Sequence, residues 1–589
     1  MTPSPRPSYA ITTAIDYVNA PPHLGHAYEK IAADVMARFQ RLMGRDVFFL
    51  TGSDEHGAKV AQTAATQGLT PPAYVDAMAA RFQQAWKSLH LSHNRFIRTT
   101  EPAHYAVVES LWRQMVEKGD IYKASYTARY CSGCESFLTD RDLDDQGQCR
   151  IHRRAPEPVA EENWFFRLTR YKDDLRALID SGTFVRPAFR VAETLNMLEE
   201  LEDISVSRPK TSVAWGIPVP DDPDQTIYVW IDALSNYVTG LGLGQDAAQF
   251  ERYWPADCHL VGKDILRFHA LYWPAMLMSA GLAPPRSVFA HGFINLNDAK
   301  ISKSLGNVVC ADDLMTRFSL PNPDAIRYYL MTATTFGQDG NFTEDDFKRR
   351  VNANLANNLG NLLNRALNMT QKYFDGRVPT PPGLEASALY VEDAAALDAL
   401  RAEYDALEEG SEARAAWKTG YHFPQSGIRF LAAPWRANAD YLSGEAVARF
   451  ADDIRYKYEL FDFEFALFTL FERIIAPVNL FIDEKAPWTL AKNGETERLA
   501  AVLYSVLERL RQIALLLSPV CPSMAAQIWS QLGDDVDSSG LEPLLNGRPA
   551  RWEALYDALE PGRPIRLTGP ILPRLDDDLA GPDGKKKKP

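Results

Sequence analysis

The sequence predicts an α/β protein: a parallel sheet, interrupted by a metal-binding insertion and followed by an all-α helical bundle. Three observations carry this. Short β-prone runs alternate with helical stretches over residues 1–115 and again over 226–310, the pattern of a parallel sheet with crossover helices. A polar, turn-rich stretch over 116–225 breaks that rhythm and holds a tight cluster of cysteines. From about residue 351 the strand-like runs stop and apolar residues recur at helical spacing.

The opening reads as strand, loop, helix. Tyr9 to Ile15 is β-prone, Pro21 and Pro22 break it, and Ile31, Val35, Phe39 and Leu42 then recur on one helical face. Val47 to Leu50 predicts a second strand ending at Gly52, and Arg95 to Thr99 a third after two helical stretches. Strands are expected again at Ile227 to Ile231, His259 to Val261 and Val288 to Phe293, with a helix over Asp264 to Ala280 between the last two. Residues 311–350 link this sheet to the bundle. Val351, Leu355, Leu359 and Leu362 begin a series of amphipathic helices running to about 535, in a domain taken as 351–560. Residues 561–589 are a low-complexity tail ending in four lysines, which reads as solvated and is able to touch RNA phosphates.

Composition bounds the function. With 46% hydrophobic residues the 589-residue chain can bury several cores, which excludes wholesale disorder. A net charge of -14 excludes an indiscriminate nucleic-acid binder, so any such partner must be met by a local surface. The N-terminus lacks an apolar signal core, and the longest aliphatic run, Ile513 to Leu517, is far short of the roughly 18 residues a membrane span needs. A cytoplasmic protein with no membrane partner is expected. Cys258, Cys310 and Cys521 are scattered and read as reduced thiols.

Three motifs carry chemistry. His23-Leu24-Gly25-His26 sits at a strand-to-helix loop, where free backbone N–H groups and the helix dipole favour an anion. Gly25 lets a ligand approach the backbone, and two imidazoles can donate to phosphate oxygens. Alone, the motif is equally compatible with two polar loop histidines. Lys300-Ile301-Ser302-Lys303-Ser304 places two lysines three apart, able to neutralise a polyphosphate as it leaves; alone it reads as solvated surface. Cys131-x2-Cys134, fourteen residues, then Cys149-x2-His152 makes a Cys3His set with the spacing of a structural Zn²⁺ site, one per chain and with no position left for substrate.

HLGH on the first loop of the first half and KISKS after the last strand of the second half resemble the HIGH and KMSKS signatures of class I aminoacyl-tRNA synthetases. TTAIDYVNAPPHLGH, TGSDEHG, YCSGCE, RPKTSVAWGIPVP, YVWIDALSNY, VGKDILRFHALYWPAML, KISKSLGNVV, NLLNR and DEKAPW, in this order over roughly residues 8 to 530, are similar to methionyl-tRNA synthetases of the bacterial type with one zinc knuckle. The resemblance implies a Rossmann-like catalytic domain split at 1–115 and 226–310, a connective insertion, a stem-contact linker at 311–350, and an anticodon-binding bundle. It implies activation of methionine by ATP, with Mg²⁺ accompanying the nucleotide, and transfer of methionyl to tRNA(Met).

The same resemblance assigns residues. His23, His26, Lys300 and Lys303 are the implied catalytic groups. Gly25, Lys263, Asp264 and Ser302 join them around ATP. Ile15, Tyr17, Asp54, Trp230, Leu234, Tyr237, Ile265, His269 and Trp273 match the methionine pocket, where aromatic contacts suit a polarizable thioether; each alone reads as hydrophobic core. Asn361, Arg365 and Trp488 match residues that read the anticodon, though each is equally compatible with ordinary helix packing, Trp488 following Pro487 at a helix start. Two departures stand out. Residues about 408–447 read as an insertion, and the C-terminal dimerising domain of some relatives is not seen, so a monomer is expected. A leucine, isoleucine or valine enzyme would carry a larger insertion, a cysteinyl enzyme would open its metal to the amino acid, and an inactive tRNA-binding paralogue would not need both signatures intact.

Overall fold

The computed structural model describes residues 6–131, 133–134, 136–138, 142–296, 299–300, 309–381, 421–422, 429–430, 444–537, 544–545 and 548–575. Its centre is a seven-stranded sheet in which every pairing is parallel. The spatial order runs Asp16–Tyr17, Asp46–Asp54, Ser8–Thr13, Cys258–Gly262, Val288–His291 and Val185–Arg186, with Arg95–Arg98 also on Asp46–Asp54. The two halves of the chain meet where Ile11 pairs with Cys258 and Thr13 with Leu260.

The strands are apolar on both faces, as a covered parallel sheet requires. Tyr9, Ile11, Val47, Phe49, Leu260 and Phe289 pack into one core. Ala10, Phe48, Leu50, Val261 and Ala290 pack into the other. The first core contains the helix Leu24–Leu42 and is continuous with the helical domain: the Phe39 ring stacks on Tyr458 at 5.1 Å. Buried Arg327 clamps that helix to the bundle. It donates to Asp34 Oδ2 at 2.7 Å and to the carbonyl oxygens of Val520, Pro519 and Leu89 at 2.8, 3.1 and 3.2 Å. The second core is covered by Pro102–Glu117, Val229–Gly240 and Trp273–Ser279.

The 116–225 stretch forms its own antiparallel layers, one built on the long pairing of Ile121–Cys131 with Glu157–Phe166. One piece of it departs from the expectation of an insertion: Val185–Arg186 returns to the main sheet as its edge strand beside Val288–His291. A second difference concerns 227–231. The sequence predicts a strand there, but the strand Asp222–Ile227 belongs to a small antiparallel sheet and Val229 begins a helix. A short apolar run does not by itself distinguish a buried strand from a buried helix. Between Asp264 and Ala280 the helix is not uniform; a wide π turn over Phe268–Tyr272 precedes the α-helix Trp273–Ser279.

Beyond 351 the described chain is mainly helical, with short strands at Val536–Asp537, Leu544–Leu545 and Arg548–Pro549 and a single turn at Trp552–Tyr556; the start of the expected solvated tail then packs back, with Ile571, Leu572 and Leu575 buried in the core. The helical run Phe463–Lys492 has the length and apolar content of a membrane span, unlike the short aliphatic run singled out from the sequence. Its Phe463, Leu467, Leu470, Ile474, Val478 and Ile482 are buried against the bundle core, which accounts for that content. Most of the 408–447 stretch and the lysine-rich end of the tail lie outside the described residues.

Candidate active site

A cleft of 390 Å³ opens at the carboxyl ends of the central strands, where ligands bind in such sheets. Its walls come from both halves of the chain. Ile15 and Tyr17 follow the first strand, and Asp54 ends the second and pairs in register with Tyr17. Trp230, Leu234 and Tyr237 lie one above another on the helix Val229–Gly240, and Asp264, Ile265 and His269 follow the strand Cys258–Gly262. The structure thus gathers eight of the nine residues assigned to the methionine pocket. Trp273 is not among the lining residues. It is 1% exposed and donates from Nε1 to His259 Nε2 at 3.2 Å, behind the wall.

The polar atoms of this cleft have a definite protonation pattern. Burial pulls His269 down to about 4, so its ring is neutral at pH 7. Nδ1 donates to the Ile265 carbonyl at 2.9 Å, which leaves Nε2 to accept from the Tyr237 hydroxyl at 2.7 Å. The Tyr237 ring stacks on His259 at 4.1 Å, and His259 Nδ1 lies 2.7 Å from Thr12 Oγ1. Trp230 stacks on Phe268 at 3.7 Å, which fixes the outer aromatic wall. A pocket of neutral aromatic and imidazole surface suits an uncharged, polarizable side chain.

His23 and His26 cap the helix Leu24–Leu42, whose Lys30 reaches the carbonyl of the cleft residue Ala14. Their rings stack at 3.9 Å. His23 Nδ1 accepts from the Gly25 N–H, and His26 Nδ1 accepts from the His23 N–H, each at 3.1 Å. Burial lowers both imidazoles, His23 to about 4. Each neutral ring therefore carries its proton on Nε2, which is a donor. The structure gives Gly25 a reason the sequence did not: a Cβ there would meet His23 Cε1 at 2.9 Å, so glycine makes room for the capping ring.

Under the helix start lies a buried charged cluster that the sequence reading passed over. Lys30 Nζ reaches Asp16 at 3.0 Å, Glu29 at 2.7 Å and the Ala14 carbonyl at 2.7 Å; Glu29 also accepts from His291 Nε2 at 2.9 Å. Burial pushes Asp16 up to about 7 even beside that ammonium. The available signal was the charged residues inside the apolar TTAIDY and HAYEK runs.

Lys263 pairs with Asp339 at 2.6 Å. Lys300 is in the strand Ala299–Lys300, opposite Asn295. Ser302 and Lys303 lie outside the described residues. The chain on their far side returns to the histidine motif, because the Leu24 N–H donates to the Val309 carbonyl at 2.9 Å and Cys310 Sγ lies 3.0 Å from the Pro22 carbonyl.

The Cys3His set is assembled. The ligating atoms of Cys131, Cys134, Cys149 and His152 lie within 4.8 Å of one another and can hold one metal ion. Cys134 Sγ is 3.5 Å from Cys149 Sγ and 3.2 Å from His152 Nδ1, close to the edges of a tetrahedron with metal–sulfur bonds of about 2.3 Å. Gly133 has no side chain because a Cβ would strike the His152 ring at 2.4 Å. Cys134 also lines the cleft, and Lys59 donates to the Gly133 carbonyl, so this knuckle rests on the cleft wall.

A second cleft, of 690 Å³, lies on the helical domain. Asn361, Arg365 and Trp488 line it together with Asn357, Asn364, Asn368, Asn479 and Asp483. Arg365 pairs with Asp483, and Trp488 is 47% exposed, at the start of the helix Pro487–Lys492.

Known proteins agree with this geometry. The family described as tRNA synthetases class I (M) matches residues 9–150 and 142–367. The methionine–tRNA ligase of Thermosynechococcus vestitus is 39% identical over 97% of this chain and 98% of its own. That of Halalkalibacterium halodurans is 39% identical over 97% of this chain and 78% of its own. Mycobacterium tuberculosis methionyl-tRNA synthetase in complex with methionyl-adenylate superposes with a TM-score of 0.79 at 36% identity, covering 96% of this chain and all of that one.

Proposed function

Because the chain belongs to the class I methionyl-tRNA synthetases, we infer that its sheet cleft joins methionine to ATP and that its bundle cleft reads the anticodon. The family fixes the reaction. Methionine and ATP give methionyl-adenylate and pyrophosphate, and methionyl then passes to the 3′ end of tRNA(Met), for initiation and elongation.

On this reading Asp54 holds the substrate ammonium. The thioether lies among Ile15, Tyr17, Trp230, Leu234, Tyr237, Ile265 and His269. The methionine carboxylate oxygen attacks the α-phosphorus of the Mg²⁺-bound nucleotide. One P–O bond forms, the bond to the bridging oxygen breaks, and pyrophosphate leaves. No protein nucleophile takes part, so the rate comes from alignment and from donors aimed at developing charge. His23 and His26 supply Nε2–H donors, and their neutral state lets them donate without a fixed salt bridge to the product. Lys300 and Lys303 follow the departing pyrophosphate, Gly25 and Ser302 line its path, and Asp264, beside Lys263, accepts ribose hydroxyls. A tRNA ribose hydroxyl then attacks the methionyl carbonyl carbon and AMP leaves.

Cys131, Cys134, Cys149 and His152 would hold a structural Zn²⁺, which ties the knuckle together and offers no open position for substrate. Asn361 and Arg365 would hydrogen-bond the edges of anticodon bases and Trp488 would stack on one. A monomeric, cytoplasmic enzyme completes the proposal, and light scattering tests the first part of that.

The observation that carries this reading is the convergence of Asp54 and the Trp230–Tyr237 face, from separate halves of the sheet, on one cleft floored by a neutral histidine. Methionine-dependent ATP–pyrophosphate exchange tests it. Asp54→Asn and Trp230→Ala should each raise the KM for methionine, and parental constants in both would remove the cleft from the reaction.

A further inference from the structure

Two histidines outside the cleft lining converge on one buried carboxylate. Asp232 is 1% exposed. His56 Nδ1 lies 2.6 Å from its Oδ2, and His104 Nε2 lies 2.9 Å from its Oδ1. Each oxygen thus accepts one imidazole N–H. The second nitrogen of His56 lies 2.9 Å from the Tyr105 hydroxyl, which donates to it and leaves the His56 proton on Nδ1, facing Asp232. Burial alone would push the Asp232 carboxyl up, but His56 and His104 outweigh it and bring it down to about 2.

What this link joins is telling. His56 is two residues beyond Asp54 on the loop leaving the strand Asp46–Asp54. Asp232 lies between Trp230 and Leu234 on the helix Val229–Gly240. The loop is itself pinned, since Trp215 Nε1 donates to the Glu55 carbonyl at 2.7 Å and the Trp215 ring packs on His56 at 5.3 Å. A buried charged group contributes little net stability compared with apolar packing, but its directional hydrogen bonds fix one geometry.

We propose that Asp232, gripped by His56 and His104, is a positioning residue that sets the Trp230–Tyr237 wall at a fixed distance from Asp54. It touches no substrate. The proposal rests on the reading of this cleft as the methionine site and adds what holds its two walls in register.

The test is methionine-dependent ATP–pyrophosphate exchange by the full chain, with thermal melting alongside. His56→Ala should raise the KM for methionine about tenfold, the scale of one hydrogen bond to a charged group, and leave the KM for ATP within about twofold. His56→Asn, whose amide N–H falls near the Nδ1 position, should recover most of that loss. Asp232→Asn cannot accept from both rings and should do at least as much damage as His56→Ala; if it fails to fold, the His56 pair still decides. An unchanged methionine KM in His56→Ala overturns the proposal. So does a parallel rise in both KM values, or a His56→Asn enzyme no better than His56→Ala, since either reports general loosening. Trp230→Ala separates the two levels. If it raises the methionine KM while the His56 variants do not, only the positioning role fails; if it does not, the cleft assignment fails and the proposal with it.

Discussion

The sheet cleft and the bundle cleft are built to opposite specifications. The first is the smaller, 390 against 690 Å³, and its polar groups are locked: His269 bonds to Tyr237 and Ile265 within the lining, and behind the wall Asp232 bonds to His56 and His104. The second is lined by asparagine amides and a tryptophan left 47% exposed. The difference follows from the ligands proposed for them. A small flexible amino acid must be aligned with a phosphate, which rewards fixed donors and excluded water. An unpaired base offers a flat face and polar edges, which reward an exposed ring and adaptable amides.

The largest expected effect would break the comparison on the chemical side. Lys303→Ala should lower kcat for exchange by about 10²-fold or more, the range for losing one donor to a developing charge. Methionine affinity should change little, and tRNA binding not at all. An unchanged exchange rate removes Lys303 from the chemical step.

A smaller loss should follow at the knuckle. Cys134→Ser should lose bound metal, because a loop region with little core depends on its ion. Exchange should then fall through the wall that Cys134 shares, and by less than in Lys303→Ala. Elemental analysis of parent and variant decides it: no zinc in the parent purified without chelator, or full activity in Cys134→Ser, contradicts this role.

The smallest effect sharpens the comparison by its absence. Burial lowers His269 from 6.5 to about 4, so the folded protein keeps it neutral while the unfolded chain protonates it as pH falls through 6.5. His269 therefore costs stability progressively from pH 6.5 down to about 4 and is without effect above that window. His269 should therefore add no inflection to the methionine KM between pH 5.5 and about 7.5. An inflection near 6.5 that vanishes in His269→Gln would show that the ring titrates normally and that the wall is wetter than its packing indicates.

Much of this was legible in the sequence, for a physical reason. Motifs that bind one ion are local, so the four Cys3His ligands could be read from spacing, and the strands Ser8–Thr13 and Cys258–Gly262 from apolar runs, whereas the role given to His23 and His26 rests on the resemblance. What spacing does not carry is pairing across the chain. Asp232 meets His56 over 176 positions and Arg327 meets Asp34 over 293, and no local pattern marks either contact. Val185–Arg186 is too short to show a period, and residues 227–231 are apolar enough to suit a strand or a helix. The resemblance groups Trp273 with the methionine pocket; only the packing shows it bonded to His259 behind the wall.

The central claim is that adenylation and anticodon reading are carried by separate clefts. Trp488→Ala, assayed in parallel for methionine-dependent ATP–pyrophosphate exchange and for tRNA charging at subsaturating tRNA, tests it most directly. Loss of a stacking ring costs about 1–3 kcal/mol, or about 5- to 150-fold in kcat/KM for tRNA. The account predicts that fall together with parental exchange and a melting temperature close to the parent's. Equal charging by variant and parent would contradict it, leaving Trp488 without a part in anticodon reading; a matching fall in exchange would contradict the separation itself.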